Sequence, residues 1–453
     1  MKHMPTETAF KYLNEVRFMT LSNWSVGAIL SDKVLYKDGF KLEPIGNLII
    51  RNQEKEILED DKVYKQVTIK LYGKGVIQRG DELIFGKDIG TKNQFRISEG
   101  QFIMSKIDAR NGAFGIVPAE LEGAITTQDF LSYNINTEKI LPEFFNLITG
   151  TKHFAELCQK ASSGTTGRQR VDEKAFLGFR IPVPKISIQS EILNRYHLKL
   201  NESLTAAQNS EIELIKIIEV FKEVFTYLHS ESQNGKRQFS VTMFSEIDRW
   251  DVWNKSLEIK SEFPIINLGS IITEISTGTT PPTSRKDYFQ PQEVNFYTPS
   301  DIGESMELVS SGRFISKKAI EDNKARVFKK GTFLFVGIGT IGKVGIVQNE
   351  YACANQQITG FSLSEQVNHQ YVFYYLYYHK DITSANQTKT TLPILNQENI
   401  KSIPIPMPPR SVQNKIAALI SEIENKSKIL QARSQRYKDM ALKEFESAIF
   451  NID

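Results

Sequence analysis

The spacing of apolar and polar positions changes twice along the chain, in the same order each time. Short apolar runs come first: Leu48-Ile49-Ile50, Val67-Thr68-Ile69, Phe102-Ile103-Met104 and, later, Phe333-Leu334-Phe335-Val336. They are rich in β-branched and aromatic residues and punctuated by glycines, which predicts strands. Near the end of each half lies an apolar stretch of helix-like composition, 142–160 and 369–380. A proline-spaced element follows, Ile181-Pro182-Val183-Pro184 and then Ile405-Pro406-Met407-Pro408, held extended by its alternating prolines. Each half closes on a long segment of helical period, a rod of roughly 60 Å at about 1.5 Å per residue.

The first of these segments carries the clearest periodicity. Leu204, Ala207, Glu211, Leu214, Ile218, Phe221, Phe225 and Leu228 keep 3,4 spacing, and Ile192, Tyr196 and Leu200 extend the face upstream. Ile212, Ile215, Val220, Val224 and Tyr227 form a second strip, more apolar surface than one partner helix needs, and are candidates for binding a partner protein. The second segment has a looser seam of Val412, Ile416, Leu419, Ile423, Leu430 and Tyr437. Ser187 and Ser411, just after the prolines, stand where N-caps are expected.

These parallels are an internal repeat. Val171 to Pro184 lies over Leu395 to Pro408 without a gap, at an offset of 224 residues. The same offset sets Phe176 on Ile400, Gln189 on Gln413, Ile192 on Ile416 and Phe221 on Phe445. Upstream, Gly112-Ala113-Phe114-Gly115-Ile116-Val117 echoes Gly342-Lys343-Val344-Gly345-Ile346-Val347, and Pro44-Ile45-Gly46 echoes Asn267-Leu268-Gly269. Trp24 and Trp250 open the two halves.

Composition narrows the function classes. The chain has 453 residues, 40% hydrophobic and 24% charged, which suits several globular domains. No stretch approaches the roughly 18 apolar residues of a membrane span, and the N-terminus lacks a signal-peptide core, so a soluble intracellular protein is expected. Two cysteines and six scattered histidines make neither a disulfide framework nor a metal site. The net charge of +3 says little by itself: 16–185 holds 24 basic and 21 acidic residues, 235–409 holds 18 and 17. Only Arg313 to Lys330 is locally dense, with seven Lys/Arg against Glu321 and Asp322.

Several tempting motifs fail on context. Phe335-Val336-Gly337-Ile338-Gly339-Thr340-Ile341-Gly342 matches glycine patterns of dinucleotide and S-adenosylmethionine sites, which need a following helix. Here Lys343-Val344-Gly345-Ile346-Val347 reads as a strand, so a hairpin turn is expected. Read as GxxxxGK it lacks the next hydroxyl, since that position is Val344. Asp251, Glu258 and Lys260 mimic a nuclease set without supporting motifs. Polar loops precede both proline elements, Ser162 to Arg170 and Ser384 to Thr391. Their Arg, Gln, Asn and Lys side chains are types that read base edges, and their hydroxyls suit phosphates.

With these residues in place, the chain resembles the specificity subunit of type I restriction-modification enzymes over essentially its full length. The resemblance rests on Val16-Arg17-Phe18 leading to Trp24, on Arg249-Trp250-Asp251, on Gly339 to Ile346 and on the duplicated proline elements with Gln189 and Gln413. It implies an α+β fold: two strand-rich target-recognition domains joined by two long antiparallel coiled-coil helices, as a pseudo-twofold internal repeat. It places an extension at 1–15, domains at 16–185 and 235–409, and spacer helices at 186–234 and 410–453. It implies a cytoplasmic, non-catalytic protein without a cofactor, which reads a bipartite asymmetric site in double-stranded DNA, one domain per half-site. Its partners are two modification subunits that methylate adenine, with restriction subunits in the full complex and no membrane. A stand-alone S-adenosylmethionine-dependent methyltransferase or restriction enzyme is the alternative, and a coiled-coil scaffold a third. Arg168, Gln169, Arg170, Lys343, Asn386 and Lys389 are the candidate groove contacts in or beside the loops. Lys317, Lys318, Lys329 and Lys330 are the candidate phosphate contacts.

Overall fold

The computed structural model describes residues 36–37, 39–71, 73–160, 162–163, 170–228, 258–303, 305–383 and 394–451. They form two compact units, Met1–Ala206 with Arg433–Asp453, and Ala207–Ala432. Each unit contains a strand-rich body and a part of both long helices, Ile186–Lys222 and Arg410–Ile449. The tryptophans that open the halves, the 16–18 segment and Asp251 lie outside the described residues.

The repeat seen in the sequence is a repeat of sheet order. In the first unit the antiparallel order is Phe114–Ile116, Phe102–Ser105, Phe130–Ile135, Ile49–Arg51. In the second it is Val344–Val347, Phe333–Val336, Ile358–Leu363, Ile272–Thr277, with Glu307–Leu308 added in parallel beyond Val344–Val347. The proline elements are strands in two-stranded ribbons. Arg180–Pro182 pairs with Leu42–Pro44, and Pro404–Pro406 pairs with Ile265–Asn267. Ribbon edges tolerate the missing proline N–H, whereas a central strand does not. Ile45–Asn47 and Leu268–Ser270 are matching 3-10 turns.

The repeated glutamines explain why each long helix is fixed to its domain. Gln189 is fully buried: its Oε1 accepts the Leu141 N–H at 2.8 Å, and its Nε2 donates to the carbonyls of Lys139 and Pro184 at 2.9 and 2.8 Å. Buried Gln413 accepts the Asn368 N–H at 2.8 Å and donates to the Pro408 carbonyl at 2.8 Å. Leu141 and Asn368 are the N-caps of the shorter helices Pro142–Thr149 and His369–Tyr378. One side chain thus ties two helix starts in each unit. Gln413→Leu strands a half-buried N–H and a buried carbonyl, so we expect a loss of about 1–3 kcal/mol, most of it from the carbonyl. Urea unfolding of the variant chain measures it.

Two expectations about the long helices are corrected. Ser187 and Ser411 are not caps, because the Lys185 and Pro409 carbonyls already accept the first helical N–H groups, those of Ile188, Gln189, Val412 and Gln413. Both serines therefore sit inside the first turn. The first helix also ends at Lys222, and Phe225–Leu228 is a strand paired with Glu258–Ser261. The second helix closes in a related way: the Lys37 N–H donates to the Ile449 carbonyl at 2.9 Å, and Tyr36 stacks on Phe450 at 5.2 Å.

From Ser203 to Ile217 the buried face of the first helix lies one position from the expected seam, while Ile192 and Phe221 on that seam are buried as expected. Ser203, Ala206, Ser210, Glu213, Ile217 and Phe221 are buried, while Leu204 and Ile218 are half exposed. The reason is small polar packing. In the first unit the Ser203 hydroxyl donates to the Ser434 carbonyl at 2.8 Å and lies 3.0 Å from the Ser434 hydroxyl. In the second, Ser210 and Ser427 hydroxyls meet at 2.7 Å, and Glu213 holds Lys426 at 2.7 Å. Hydrogen bonds from Lys216 and Lys426 keep the Glu213 carboxyl below its usual range. Within each unit the two helices run antiparallel. Ser203 and Ser427 are repeat mates, as are Ser210 and Ser434, so the two serine contacts are one contact made twice.

Phe221 and Phe445 close the cores. Phe445 is buried and meets Phe144 edge-on at 5.6 Å in the first unit. Phe221 packs on Tyr375 and His379 in the second, at 6.4 and 4.5 Å. Burial there pushes the His379 imidazole down to about 4, so this contact is between neutral groups at neutral pH.

Candidate nucleic-acid interface

The polar loop before the first proline element is described only at its two strand ends. Ser162–Ser163 pairs with Arg170–Val171, which returns the chain to the domain. The Arg170 guanidinium is half exposed and meets both oxygens of Asp129 through Nη2, at 3.2 and 3.3 Å. Arg168, Gln169, Asn386 and Lys389 lie outside the described residues.

Glycines 337–342 form a hairpin turn between antiparallel strands Phe333–Val336 and Val344–Val347, as expected. Gly339 and Gly342 have φ of +87° and +85°, a conformation other residues adopt only with strain. A strand follows the turn, so no helix N-terminus is presented to a phosphate here. Lys343 leaves this turn and is tied down: its Nζ donates to the Pro299 carbonyl at 3.3 Å, and its stem packs at Gly303.

The dense basic segment divides into two kinds of lysine. Lys318 contacts Asp287 at 2.9 Å, and Arg285 meets the same carboxylate at 2.7 Å. Hydrogen bonds from Arg285 and then Lys318 hold the Asp287 carboxyl well below the usual carboxylate range. The two cations share one compensating charge. Lys317 opens the helix Lys317–Glu321, its backbone N–H donating to the Glu293 carboxylate at 2.9 Å. Lys329 and Lys330 are exposed at the end of strand Val327–Lys329, before the turn at Gly331. The structure therefore separates Lys318 from Lys329 and Lys330 by how far each charge is already neutralised.

Sequence patterning did not single out a cleft in the second unit, where glutamines and threonines sit beside apolar Ile338, Ile394 and Leu395. A cavity of about 390 Å³ is lined by Thr277, Gly337, Gln356, Gln357, Thr359 and Gln397, among others. The Gln397 Nε2 donates to the Thr277 hydroxyl at 3.0 Å, the Thr280 hydroxyl to Gln356, and the Asn355 amide to Gln357 at 3.0 Å. These residues come from strand ends and from the start of the helix Gln397–Lys401, and no local motif joins them.

Among the candidate partner-binding residues, Ile212 and Ile215 are 54% and 60% exposed. Ile218, first assigned to the seam, joins them at 50%. Val220 is half buried against the core, and Val224 is buried in it, which removes Val224 from any docking face. Tyr227 belongs to the strand Phe225–Leu228 rather than the helix, and its side chain is outside the described set. Among the described residues there is no helix long and apolar enough to cross a membrane, and no cluster of His, Cys, Asp or Glu that could hold a metal ion.

Two sheet domains of the same strand order, joined by two long antiparallel helices and repeated within one chain, define a duplicated two-domain architecture. The family described as type I restriction modification DNA specificity domain matches residues 38–214 and 260–437, and the chain belongs to that family. The MjaIX type I restriction enzyme specificity subunit of Methanocaldococcus jannaschii is 32% identical over 170 residues. That match covers 35% of this chain and 38% of the relative, so it spans well under half of either protein. A chain from a structure concerned with assembly and conformational transition of the type I R-M system superposes with a TM-score of 0.57 at 15% identity. It covers 91% of this chain and 98% of its own length, a likeness of fold. The HsdS subunit of Thermoanaerobacter tengcongensis, at 16% identity, covers 91% of this chain and 97% of its own, with a TM-score of 0.43.

Proposed function

We propose that this chain is the DNA sequence-specificity subunit of a type I restriction-modification complex and is itself non-catalytic. It reads a bipartite asymmetric site in double-stranded DNA, one domain per half-site, and docks two modification subunits, with restriction subunits joining the full complex in the cytoplasm. The observation that carries this reading is the duplication itself. Two domains share sheet order and the glutamine tie, yet differ in the residues at their strand ends, which suits one frame reading two different sequences. In this reading 16–185 and 235–409 are the readers, and 186–234 and 410–453 are the spacers. Arg170 and Lys343, with Arg168, Gln169, Asn386 and Lys389, face the grooves. Lys317, Lys318, Lys329 and Lys330 face phosphates, Lys318 contributing least because Asp287 already holds its charge.

Exchanging residues 16–180 for the equivalent region of a relative tests this directly. The methylated sites of a host carrying the chimera should change in one half and keep the other. A change in both halves, or in neither, overturns the assignment of one reader to each half-site.

A further inference from the structure

The two units contain the same backbone joint. Lys106, just after strand Phe102–Ser105, donates its N–H to the Asp129 carbonyl at 2.8 Å and accepts the Val171 N–H at 2.9 Å. Gly337, just after Phe333–Val336, donates to the Gln357 carbonyl at 2.9 Å and accepts the Leu395 N–H at 2.8 Å. Val171 and Leu395 are repeat mates. The main chain of the joint is therefore kept, while its side chains are exchanged. Asp129 and Arg170 occupy one copy, and Gln357 and Ile394 occupy the other.

We propose that this joint is a base-reading position in each domain, and that Asp129 is the positioning residue that aims Arg170 at a guanine. The inference rests on the proposed function and names residues for it. A frame held constant with its side chains replaced is what two readers of different half-sites require. Arg170 retains 56% of its side-chain surface, so it is available to a duplex. A guanidinium carries five N–H donors, and contact with Asp129 through Nη2 alone leaves a two-donor edge for the guanine O6 and N7. Asp129 is itself held, since its carbonyl is bonded to Lys106 and its N–H donates to the Thr127 hydroxyl at 3.4 Å. A carboxylate facing DNA weakens binding to every sequence alike through repulsion from the phosphates. Its place beside Arg170 is explained by aim. In the other unit an amide does the corresponding work. The Gln357 Oε1 accepts from the Asn355 Nδ2 at 3.0 Å, which fixes its orientation at the edge of the cleft.

The test uses the assembled methyltransferase complex, its cognate duplex taken from methylated genomic sites, and a set of duplexes with single base-pair changes. Asp129→Asn and Arg170→Ala should each lose discrimination by about 5- to 150-fold, the range of one bidentate contact, at the same G·C pair of one half-site. Asp129→Asn should leave non-specific affinity equal or tighter, and Asp129→Glu should restore discrimination. Gln357→Ala should alter the other half-site only. The proposal is overturned if Asp129→Asn and Arg170→Ala change affinity for all duplexes alike, or act at different base pairs. A wild-type complex with no preference among the duplexes means that the proposed function itself has failed. Thermal melting of each variant separates loss of fold from loss of aim.

Discussion

Four residues inserted between 201 and 211 should lengthen the preferred DNA spacer by one or two base pairs. Four helical residues add about 6 Å of rise, against about 3.4 Å per base pair. They also turn the helix by one full revolution and about 40° more, so the buried face of Ser210, Glu213, Ile217 and Phe221 returns close to its former direction. A two-residue insertion turns that face by about 200° and should abolish folding instead. The interval 201–211 contains both serine contacts, Ser203 with Ser434 and Ser210 with Ser427, and the insertion is placed between Ser203 and Ser210. A matching insertion between 427 and 434 keeps both contacts available in the longer protein. Mapping methylated sites in a host that carries the doubly extended chain reads the spacer. If the spacer is unchanged in a folded, active variant, the helices are not the ruler.

What was legible in the sequence is what repeats at long range in ordinary residue types. The 224-residue offset aligned Gln189 with Gln413, and the structure shows both doing the same work at the same joint. The proline elements, the glycine hairpin and the closing phenylalanines were found in the same way. The middle of the helix seam was not, because counting apolar positions favours Leu204 and Ile218 over Ser203, Ala206 and Ser210. Those small side chains pack at the seam, and their hydroxyls bond across it, so the larger residues face outward. The serine repeat was present at the same offset, but a hydroxyl on a helix reads as surface unless its partner is known. The Arg170–Asp129 pair was hidden for a related reason. It joins residues 41 apart through the meeting of three strand ends, and no period or motif encodes that meeting. The end of the first helix at Lys222 was masked by apolar residues that continue at helical spacing into a strand.

Ile212→Lys together with Ile215→Lys should reduce the modification subunits bound per chain from two to one. Both isoleucines are more than half exposed on the first helix, so lysine there costs the free chain within about 0.5 kcal/mol, the usual range for surface substitutions. In a complex each buried isoleucine contributes about 1.5–3 kcal/mol, and the lysines add charges with no compensating partner. Two such losses amount to at least about a 100-fold weakening. The repeat decides how many docking events are affected. At the 224-residue offset, Ile212 falls on Arg436 and Ile215 on Asp439, so the second helix offers charge where the first offers an apolar face. Ile218 and Leu442 are the mates that stay exposed and apolar in both helices, at 50% and 43%. In the proposed complex the second modification subunit is therefore expected to rest on different contacts around Leu442, and the double variant should leave it in place. Light scattering of the purified complexes reads the stoichiometry, and Leu442→Lys should remove the other subunit. Retention of two subunits at unchanged affinity in the Ile212/Ile215 variant means that this helix face is not where they dock. Loss of both means that the second subunit binds only after the first, through contacts the first completes.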